Sequence, residues 1–320
     1  MISWNASQLQ GISDDQVIWE SEEVMMNDLF SKRLMFVKNL IEEKFVVNQS
    51  IPTKIQNSYN CGLVIFSQCS EYLKQKKKGK IPTGNTTNND TNLLMKEAKE
   101  RGYSKEGEMF DAYNLSKLSP LLGISTIVLN KPDLKLILSH LLFQSPLLIP
   151  YDASKNNSPG LFKGEKSHWG SIKGFICNKS FEILEKLILH FQLNTEENQS
   201  HFSILQDQNY LTAKTNYFRN FIEKLEEKKE KNEKINQESY QKIYNDFYGE
   251  ISELGCNSKS YPELYLICKQ SKSKYQVVWE YDSLIESNKN LERVSEERRN
   301  ETFVIPDTLE NLREKIILMY

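Results

Sequence analysis

Residues 55–73 read IQNSYNCGLVIFSQCSEYL, in which a polar turn leads directly into an apolar run. The run begins right after Cys61 and Gly62, so the pattern predicts a buried helix with Cys61 in its first turn. Unpaired backbone N–H groups and the positive end of the helix dipole meet at that point and favour a thiolate. The sequence therefore predicts a lowered pKa for the Cys61 thiol, as expected of a nucleophile.

Gln56 lies in the polar turn that precedes Cys61. Its side-chain amide could point to the thiol and form an oxyanion hole together with the backbone N–H of Cys61. The alternative is that Cys61 is a small buried hydrophobic residue of a core helix, which is where free cysteines usually lie. Both interpretations place the thiol at the start of a buried helix.

The composition is that of a globular protein, with 39% hydrophobic and 26% charged residues in 320. The 41 basic and 43 acidic side chains give a net charge of -2, which attracts neither nucleic acid nor an anionic membrane. The N-terminal sequence lacks the basic start and apolar core of a signal peptide, and no apolar run is long enough to span a bilayer. We therefore expect a cytoplasmic protein that binds neither nucleic acid nor membrane.

Cysteine usage indicates free thiols in a reducing compartment. The five cysteines form an odd set without a C-x-x-C pair, and they are Cys61, Cys69, Cys177, Cys256 and Cys268. Such a set predicts neither a disulfide framework nor a zinc site, because closed zinc sites need clustered Cys and His ligands. We expect no metal and no cofactor.

Hydrophobic periodicity predicts an α+β fold, with a helical N-terminal part followed by a C-terminal antiparallel sheet. Helices are expected at 23–46, from Cys61 to about Lys74, at 93–103 and from near Gly107. Strands are expected at 124–130, 146–152, 167–177, 303–306 and 315–320, with a hairpin over 261–284 that turns at Ser271 to Lys274.

Residues 181–260 interrupt this pattern with dense Lys, Glu and Asn and sparse apolar positions. We interpret them as a charged helical insertion into a catalytic domain formed by 1–180 and 261–320. His190 and His201 lie in the insertion, so they are weak candidates for chemistry.

A cysteine nucleophile needs a nearby base and a third group that orients the base. His168 is the best candidate base because it begins a predicted strand and precedes Trp169, which could shield the pair from water. His140 lies in an apolar helical run, where a buried structural histidine is the more common explanation. Glu280 and Asp282 follow the strand YQVVW and Asn288 comes in the next turn, so these three remain open as the orienting group.

The order of these features resembles that of papain-like cysteine peptidases: Q-x4-C-G, then H-W at the start of a strand, then an acid or amide after a later strand. The Cys-Gly start is similar to the C39-like branch. More specific blocks are CGLV at 61–64, RGYSKEGEMF at 101–110, LLIPYD at 147–152, KGEKSHWG at 163–170 and YQVVWEYDSLIESN at 275–288. Together they resemble the actin maturation protease family.

This resemblance implies a papain-like fold and a cytosolic enzyme that removes the acetylated first residue from the N-terminus of actin. It implies Cys61 as nucleophile, His168 as base and Gln56 as oxyanion donor, with Glu280 as a longer substitute for the usual Asn or Asp. The large insertion departs from the family pattern. No proline-rich tract of the profilin-binding kind is present, so we do not expect recruitment through profilin.

Two alternatives remain at the level of function. A papain-like dyad also supports deamidation, transglutamination or isopeptide cleavage, because fold and dyad do not fix the acceptor. The chain could instead be a catalytically silent module that binds actin. Lys155, Lys163 and Lys166 precede His168 and could meet the acidic residues of actin, although lysines in loops are more often simply solvated.

Overall fold

The computed structural model describes residues 44–77, 89–131, 133–142, 144–178, 264–299 and 302–320. The helices are α1 (Cys61–Lys77), α2 (Asn89–Glu100), α3 (Ala112–Ser116), α4 (Leu134–Leu142), α5 (Tyr281–Lys289) and α6 (Glu296–Arg299), with a 3-10 helix at Ser119–Leu122. The strands are β1 (Lys44–Asn48), β2 (Thr126–Asn130), β3 (Leu147–Ala153), β4 (Pro159–Gly160), β5 (Ser167–Asn178), β6 (Tyr265–Gln270), β7 (Gln276–Glu280) and β8 (Lys315–Met319). The predicted α+β class is confirmed, and the papain-like assignment within it stays a prediction.

The eight strands form one antiparallel sheet in which β5 is the central element. The strand order is β2-β8-β3-β5-β6-β7, with β1 beside β5 and β4 beside β3. One edge of β5 pairs with β3 near its start and with β1 near its end, while β6 pairs with the other edge. His168 is the second residue of β5, so the sheet fixes its backbone by pairing with Tyr151 of β3.

Helix α1 packs against β5 and β6 and carries much of the hydrophobic core. Its residues from Gly62 to Ser70 are all buried, as expected of a helix that is covered on every side. Leu63, Ile65 and Phe66 are fully buried in the main core cluster together with Trp169 of β5. The buried helix that the sequence predicted after the polar turn is therefore present, and it begins at Cys61.

Most predicted strands are confirmed where the chain has β-branched or apolar runs bounded by turn residues. Strands β2, β3, β5 and β8 match the predictions at 124–130, 146–152, 167–177 and 315–320, and β6 with β7 forms the predicted hairpin. The end of that hairpin differs, because α5 starts directly after Glu280. Helix α2 is also present, and Gly102 with φ 69° follows its end.

Three predictions of secondary structure are wrong in the described part. The expected helix at 23–46 does not reach its predicted end, because Lys44–Asn48 is strand β1, which pairs with β5. Residues 303–306 form no strand, since the backbone N–H of Val304 donates to the carboxylate of Glu108 at 2.8 Å. The helix expected near Gly107 begins only at Ala112, because Asp111 caps it by accepting from the backbone N–H of Asn114 at 2.8 Å.

With β1 ahead of α1 and α5 behind β7, the expected order of helices first and sheet second does not hold. Residues 23–43 and the predicted insertion at 181–260, including His190, His201 and Cys256, lie outside the described residues. The division into a catalytic domain and an insertion stays a prediction.

Candidate active site

The start of α1, the start of β5, the β6–β7 turn and helix α6 surround a cavity of about 620 Å³. Its lining mixes aromatic, polar and charged side chains. The lining residues are Gln56, Asn57, Ser58, Tyr59, Cys61, Glu108, Met109, Phe110, Ser167, His168, Trp169, Lys272, Arg298, Phe303 and Leu312. The structure therefore brings Gln56, Cys61 and His168 to one cavity, as the sequence predicted.

Cys61 is partly exposed at this cavity, and its sulfur accepts hydrogen bonds from backbone N–H groups of Trp169 and Gly62. Burial raises the pKa of the Cys61 thiol above its ordinary value, although those N–H groups and the cations Arg298 and Lys272 oppose the rise. The lowered pKa predicted from the helix start is therefore wrong for this structure. Desolvation of the sulfur outweighs the two backbone N–H groups and the two cations that favour the thiolate.

His168 is 4% exposed and faces the same cavity. Tyr151 contacts the imidazole edge to face, with 5.8 Å between ring centroids, and Nε2 is buried without a hydrogen-bond partner in the described part of the chain. Burial, with the nearby Lys272 and Arg298, lowers the pKa of His168 to about 3. The imidazole is thus neutral at pH 7 and has a nitrogen available to accept a proton.

Cys61 and His168 share a cavity but are not joined. No hydrogen bond links the Cys61 sulfur to the imidazole among the hydrogen bonds of the described residues. Catalytic hydrogen bonds are often long or absent in a free enzyme and tighten only when substrate binds, so this geometry leaves the dyad possible.

Gln56 is held in the cavity wall by Ser271, the first residue of the β6–β7 turn. Its backbone N–H donates to the Ser271 carbonyl at 2.8 Å, and its Oε1 accepts from Ser271 Oγ. Gln56 Nε2 donates to the carbonyl of Ser58 at 2.9 Å. Because a carboxamide nitrogen carries two hydrogens, one donor remains for a ligand. The role of Gln56 as oxyanion donor stays a prediction.

None of the three candidates for the orienting group lines the cavity. Glu280 is the N-cap residue of α5, and its Oε2 accepts from Ser283 Oγ at 3.2 Å. Asp282 lies in the first turn of α5. Asn288 is buried, its Nδ2 donates to the Pro150 carbonyl at 2.8 Å, and its Oδ1 has no hydrogen-bond partner among the described residues. A catalytic role for each stays a prediction without support from its position.

The aromatic neighbour of His168 is Tyr151, a residue to which the sequence gave no role. Tyr151 is fully buried, and its single hydroxyl hydrogen has two acceptors within reach, the Asn157 carbonyl at 3.1 Å and Gln270 Oε1 at 3.4 Å. The string LLIPYD contained it but gave no signal for a contact with His168, because that contact depends on the β3–β5 register.

The loop before His168 is fixed by Asp152 of β3. The Asp152 carboxylate accepts from the backbone N–H groups of Phe162 at 2.9 Å, Gly164 at 2.7 Å and Lys166 at 3.1 Å. Gly164 has φ 95° and lies against Arg293, where a side chain would clash with the Arg293 carbonyl. This carboxylate therefore positions the chain that enters β5.

The predicted lysine contacts are not part of the cavity. Lys155, Lys163 and Lys166 are exposed, and the Lys166 ammonium lies over the Phe162 ring at 4.3 Å. The basic residues that do line the cavity are Lys272 and Arg298. In the sequence, Lys272 lies in a predicted turn and Arg298 lies in a charged run, SEERRN, and neither context indicates a binding site.

The remaining histidine and cysteines behave as structural residues. His140 is buried in α4 with its ring edge on Tyr320, and burial lowers its pKa to about 3. Cys69, Cys177 and Cys268 are buried. Among the described residues no group of three or more metal-ligating side chains could hold a metal ion, and no helix has the length and hydropathy to cross a membrane.

Comparison with known proteins connects this site to one group of proteases. A family model described as "Actin maturation protease-like, C-terminal domain" matches residues 51–176. The actin maturation protease of Danio rerio is 24% identical over 274 residues, which cover 81% of this chain and 68% of that protein. The Homo sapiens protein of the same name is 34% identical over 131 residues, which cover 39% of this chain and 34% of that protein. The Drosophila melanogaster protein is 26% identical over 173 residues, 52% of this chain and 58% of that protein.

These matches confirm the resemblance inferred from the sequence blocks. The matched region of the family model contains Gln56, Cys61 and His168 and ends before Lys272 and Arg298. The chain spans about a third of the length of the Homo sapiens relative and about two thirds of the Danio rerio relative. No solved structure matches the chain.

Proposed function

We propose that this chain, a relative of proteins named actin maturation protease, is a cysteine peptidase that removes the acetylated first residue from the N-terminus of actin. The observation that carries the proposal is that Cys61, His168 and Gln56, all within the matched residues 51–176, line one cavity. A thiol, a neutral imidazole and a carboxamide are the three groups that acyl transfer by a cysteine requires.

The first step follows from the protonation states. Burial raises the pKa of Cys61 and lowers that of His168, so the free enzyme holds a thiol and a neutral imidazole rather than an ion pair. As the sulfur attacks the carbonyl of the acetylated residue, its proton passes to the neutral imidazole of His168. The backbone N–H of Cys61 and the second hydrogen of Gln56 Nε2 stabilise the oxyanion.

The intermediate then collapses as His168 returns its proton to the amine of the second residue, which leaves with the rest of the substrate. The acetylated first residue remains on Cys61 as a thioester. Water loses a proton to His168 and attacks this thioester, which releases the acetylated amino acid and restores the thiol.

The acidic residue of the cavity supports a substrate with a blocked N-terminus. Glu108 lines the cavity, but its carboxylate accepts from Ser104 Oγ at 2.9 Å and from the backbone N–H groups of Lys105, Glu106 and Val304 at 2.8, 2.7 and 2.8 Å. A carboxylate that already accepts four hydrogen bonds is a poor anchor for a free ammonium group. An acetylated N-terminus carries no such charge and suits this cavity better.

The decisive experiment incubates the full chain with an acetylated peptide from the actin N-terminus and follows its mass. Loss of the acetylated first residue, absent with Cys61→Ala, supports the proposal. Conversion of an amide to an acid would indicate a deamidase, and an adduct would indicate acyl transfer to an amine. Binding to actin without any product would indicate a silent actin-binding module.

A further inference from the structure

We propose that Lys272 and Arg298 form the specificity site of this peptidase and bind the side-chain carboxylate of an acidic residue next to the scissile bond. The proposal rests on the peptidase function proposed above and adds the substrate chemistry that the cavity selects. Lys272 lies in the β6–β7 turn and Arg298 in α6, so two elements distant in sequence bring their cations to the cavity of Cys61 and His168.

Arg298 is fixed in an orientation that leaves donors for a ligand. Its Nη1 donates to the carbonyl and to the Oγ of Ser167, both at 3.0 Å, which places the guanidinium beside the residue that precedes His168. A guanidinium has five N–H donors in a planar fork that matches the two oxygens of a carboxylate. Lys272 is exposed in the β6–β7 turn and adds an ammonium group to the cavity lining.

Within the described residues, no ion pair balances the positive charges of Lys272 and Arg298. The acidic side chain of the lining is Glu108, whose oxygens are occupied by the four donors named above. The charge of Arg298 also favours the ionised form of Asp152, but that carboxylate accepts hydrogen bonds from three backbone N–H groups of the following loop. Two cations therefore face the cavity without an available anion, a state that a carboxylate ligand would relieve.

The same cations act on the reacting groups, which links specificity to chemistry. Lys272 and Arg298 add to the burial that lowers the pKa of His168 and thus disfavour the imidazolium that must form when the thiol gives up its proton. A carboxylate bound between the cations offsets this field at His168. The same cations also favour the Cys61 thiolate, so a bound carboxylate offsets their effect on both reacting groups, and the preference for an acidic substrate is expected in kcat/KM.

The test compares matched acetylated peptides that carry Asp or Asn at the second position, with every peptide amidated at its C-terminus. Amidation removes the C-terminal carboxylate, so a difference between the two peptides must come from the side-chain carboxylate of Asp. We expect kcat/KM to be about 10- to 100-fold higher for the Asp peptide, the range of one or two charged hydrogen bonds. The advantage should shrink in high salt, because partly exposed charges are screened.

Arg298→Gln and Lys272→Gln should reduce the preference for Asp, measured as the ratio of kcat/KM for the Asp peptide to kcat/KM for the Asn peptide. Arg298→Lys should keep part of the preference, since it retains the charge without the fork. Matched controls are Arg299→Gln and Lys274→Gln, which remove exposed cations next to each site that do not line the cavity. These controls should keep the full preference.

Equal turnover of the Asp and Asn peptides by the wild-type chain would overturn the proposal, as would equal losses for both peptides in Arg298→Gln and Lys272→Gln. Binding of the same peptides to Cys61→Ala, measured by calorimetry, tests the charge site without catalysis. Tighter binding of the Asp peptide there supports the proposal even if no peptide is cleaved, and equal binding contradicts it. Absence of turnover alone would count only against the peptidase function.

Discussion

Ser271→Ala tests the role of Gln56 through the residue that holds it. The Ser271 hydroxyl donates to Gln56 Oε1, which leaves Gln56 Nε2 turned to the Ser58 carbonyl and the cavity. Without this hydroxyl the carboxamide can rotate, and its second hydrogen no longer points reliably at a developing oxyanion. The Ser271 carbonyl still accepts from the Gln56 backbone N–H at 2.8 Å, so the substitution should spare the backbone of the turn.

The magnitude follows from what each substitution removes. Gln56→Ala deletes an oxyanion donor and should lower kcat by roughly 10²–10³ with little change in KM. Ser271→Ala removes one neutral hydrogen bond, which is worth about 0.5–1.5 kcal/mol, so kcat should fall by about 2- to 10-fold. In the Gln56→Ala background, Ser271→Ala should have almost no further effect, because the group that it positions is gone.

The assay is steady-state cleavage of an acetylated peptide by the four members of this double-mutant cycle. Ser273→Ala is the matched control, because Ser273 lies in the same turn and accepts from the Tyr275 backbone N–H at 3.1 Å without contacting Gln56. Independent, additive losses for Gln56→Ala and Ser271→Ala would refute the positioning argument. A change in KM alone for Gln56→Ala would make it a substrate-binding residue instead.

Three further predictions concern the cysteine and the histidines. Cys61→Ala should abolish turnover and leave the fold intact. Thiol alkylation of the native chain should label Cys61 faster than the buried Cys69, Cys177 and Cys268. Faster labelling of a buried thiol would contradict this prediction. His168→Ala should lose about 10²–10⁴ in kcat, the usual scale for a proton-transfer partner, and an active variant would exclude the dyad. The folded pKa of His140 is about 3, below the unfolded value, so the unfolded state gains a proton first and stability falls as pH drops below 6.5. The free energy of unfolding, measured with urea, should therefore fall between pH 7 and pH 5 by about 2 kcal/mol less in His140→Phe than in the wild type. The same pH dependence in both proteins would contradict a buried, neutral His140.

Local signals predicted most strands and the helix that starts at Cys61, because the cause of each lies within the segment itself. Apolar runs bounded by Pro, Gly and Asn give β2, β3, β5 and β8, and the polar turn before Cys61 gives the start of α1. The FVIP segment at 303–306 also has strand composition, but the carboxylate of Glu108, distant in sequence, takes the Val304 N–H that a strand would need. No pattern within the segment contains that partner.

The residues of the candidate site also fall into two groups, those with a local sequence signal and those without one. Cys61, Gln56 and His168 each stand in a distinctive local context, so the sequence could select all three as candidates, and they line one cavity. Lys272 and Arg298 belong to a turn and a charged run of ordinary appearance, and only the fold of the chain brings them to the cavity. The prediction of a lowered pKa for Cys61 was wrong for a related reason. The sequence shows where a helix begins, but it does not show how deeply the sulfur atom is buried.

The Cys-Gly pair also has a structural reason that joins α1 to β5. A Cβ atom at Gly62 would lie 2.9 Å from Trp169 Cδ1 and 3.3 Å from Met109 Cβ, so a larger residue would push the indole away. Trp169 cannot yield easily, since its Nε1 donates to the Met109 carbonyl at 2.8 Å. The Trp169 backbone N–H reaches the Cys61 sulfur, and His168 is its neighbour in β5. The glycine thus lets α1 approach β5 closely enough for Cys61 and His168 to share one cavity.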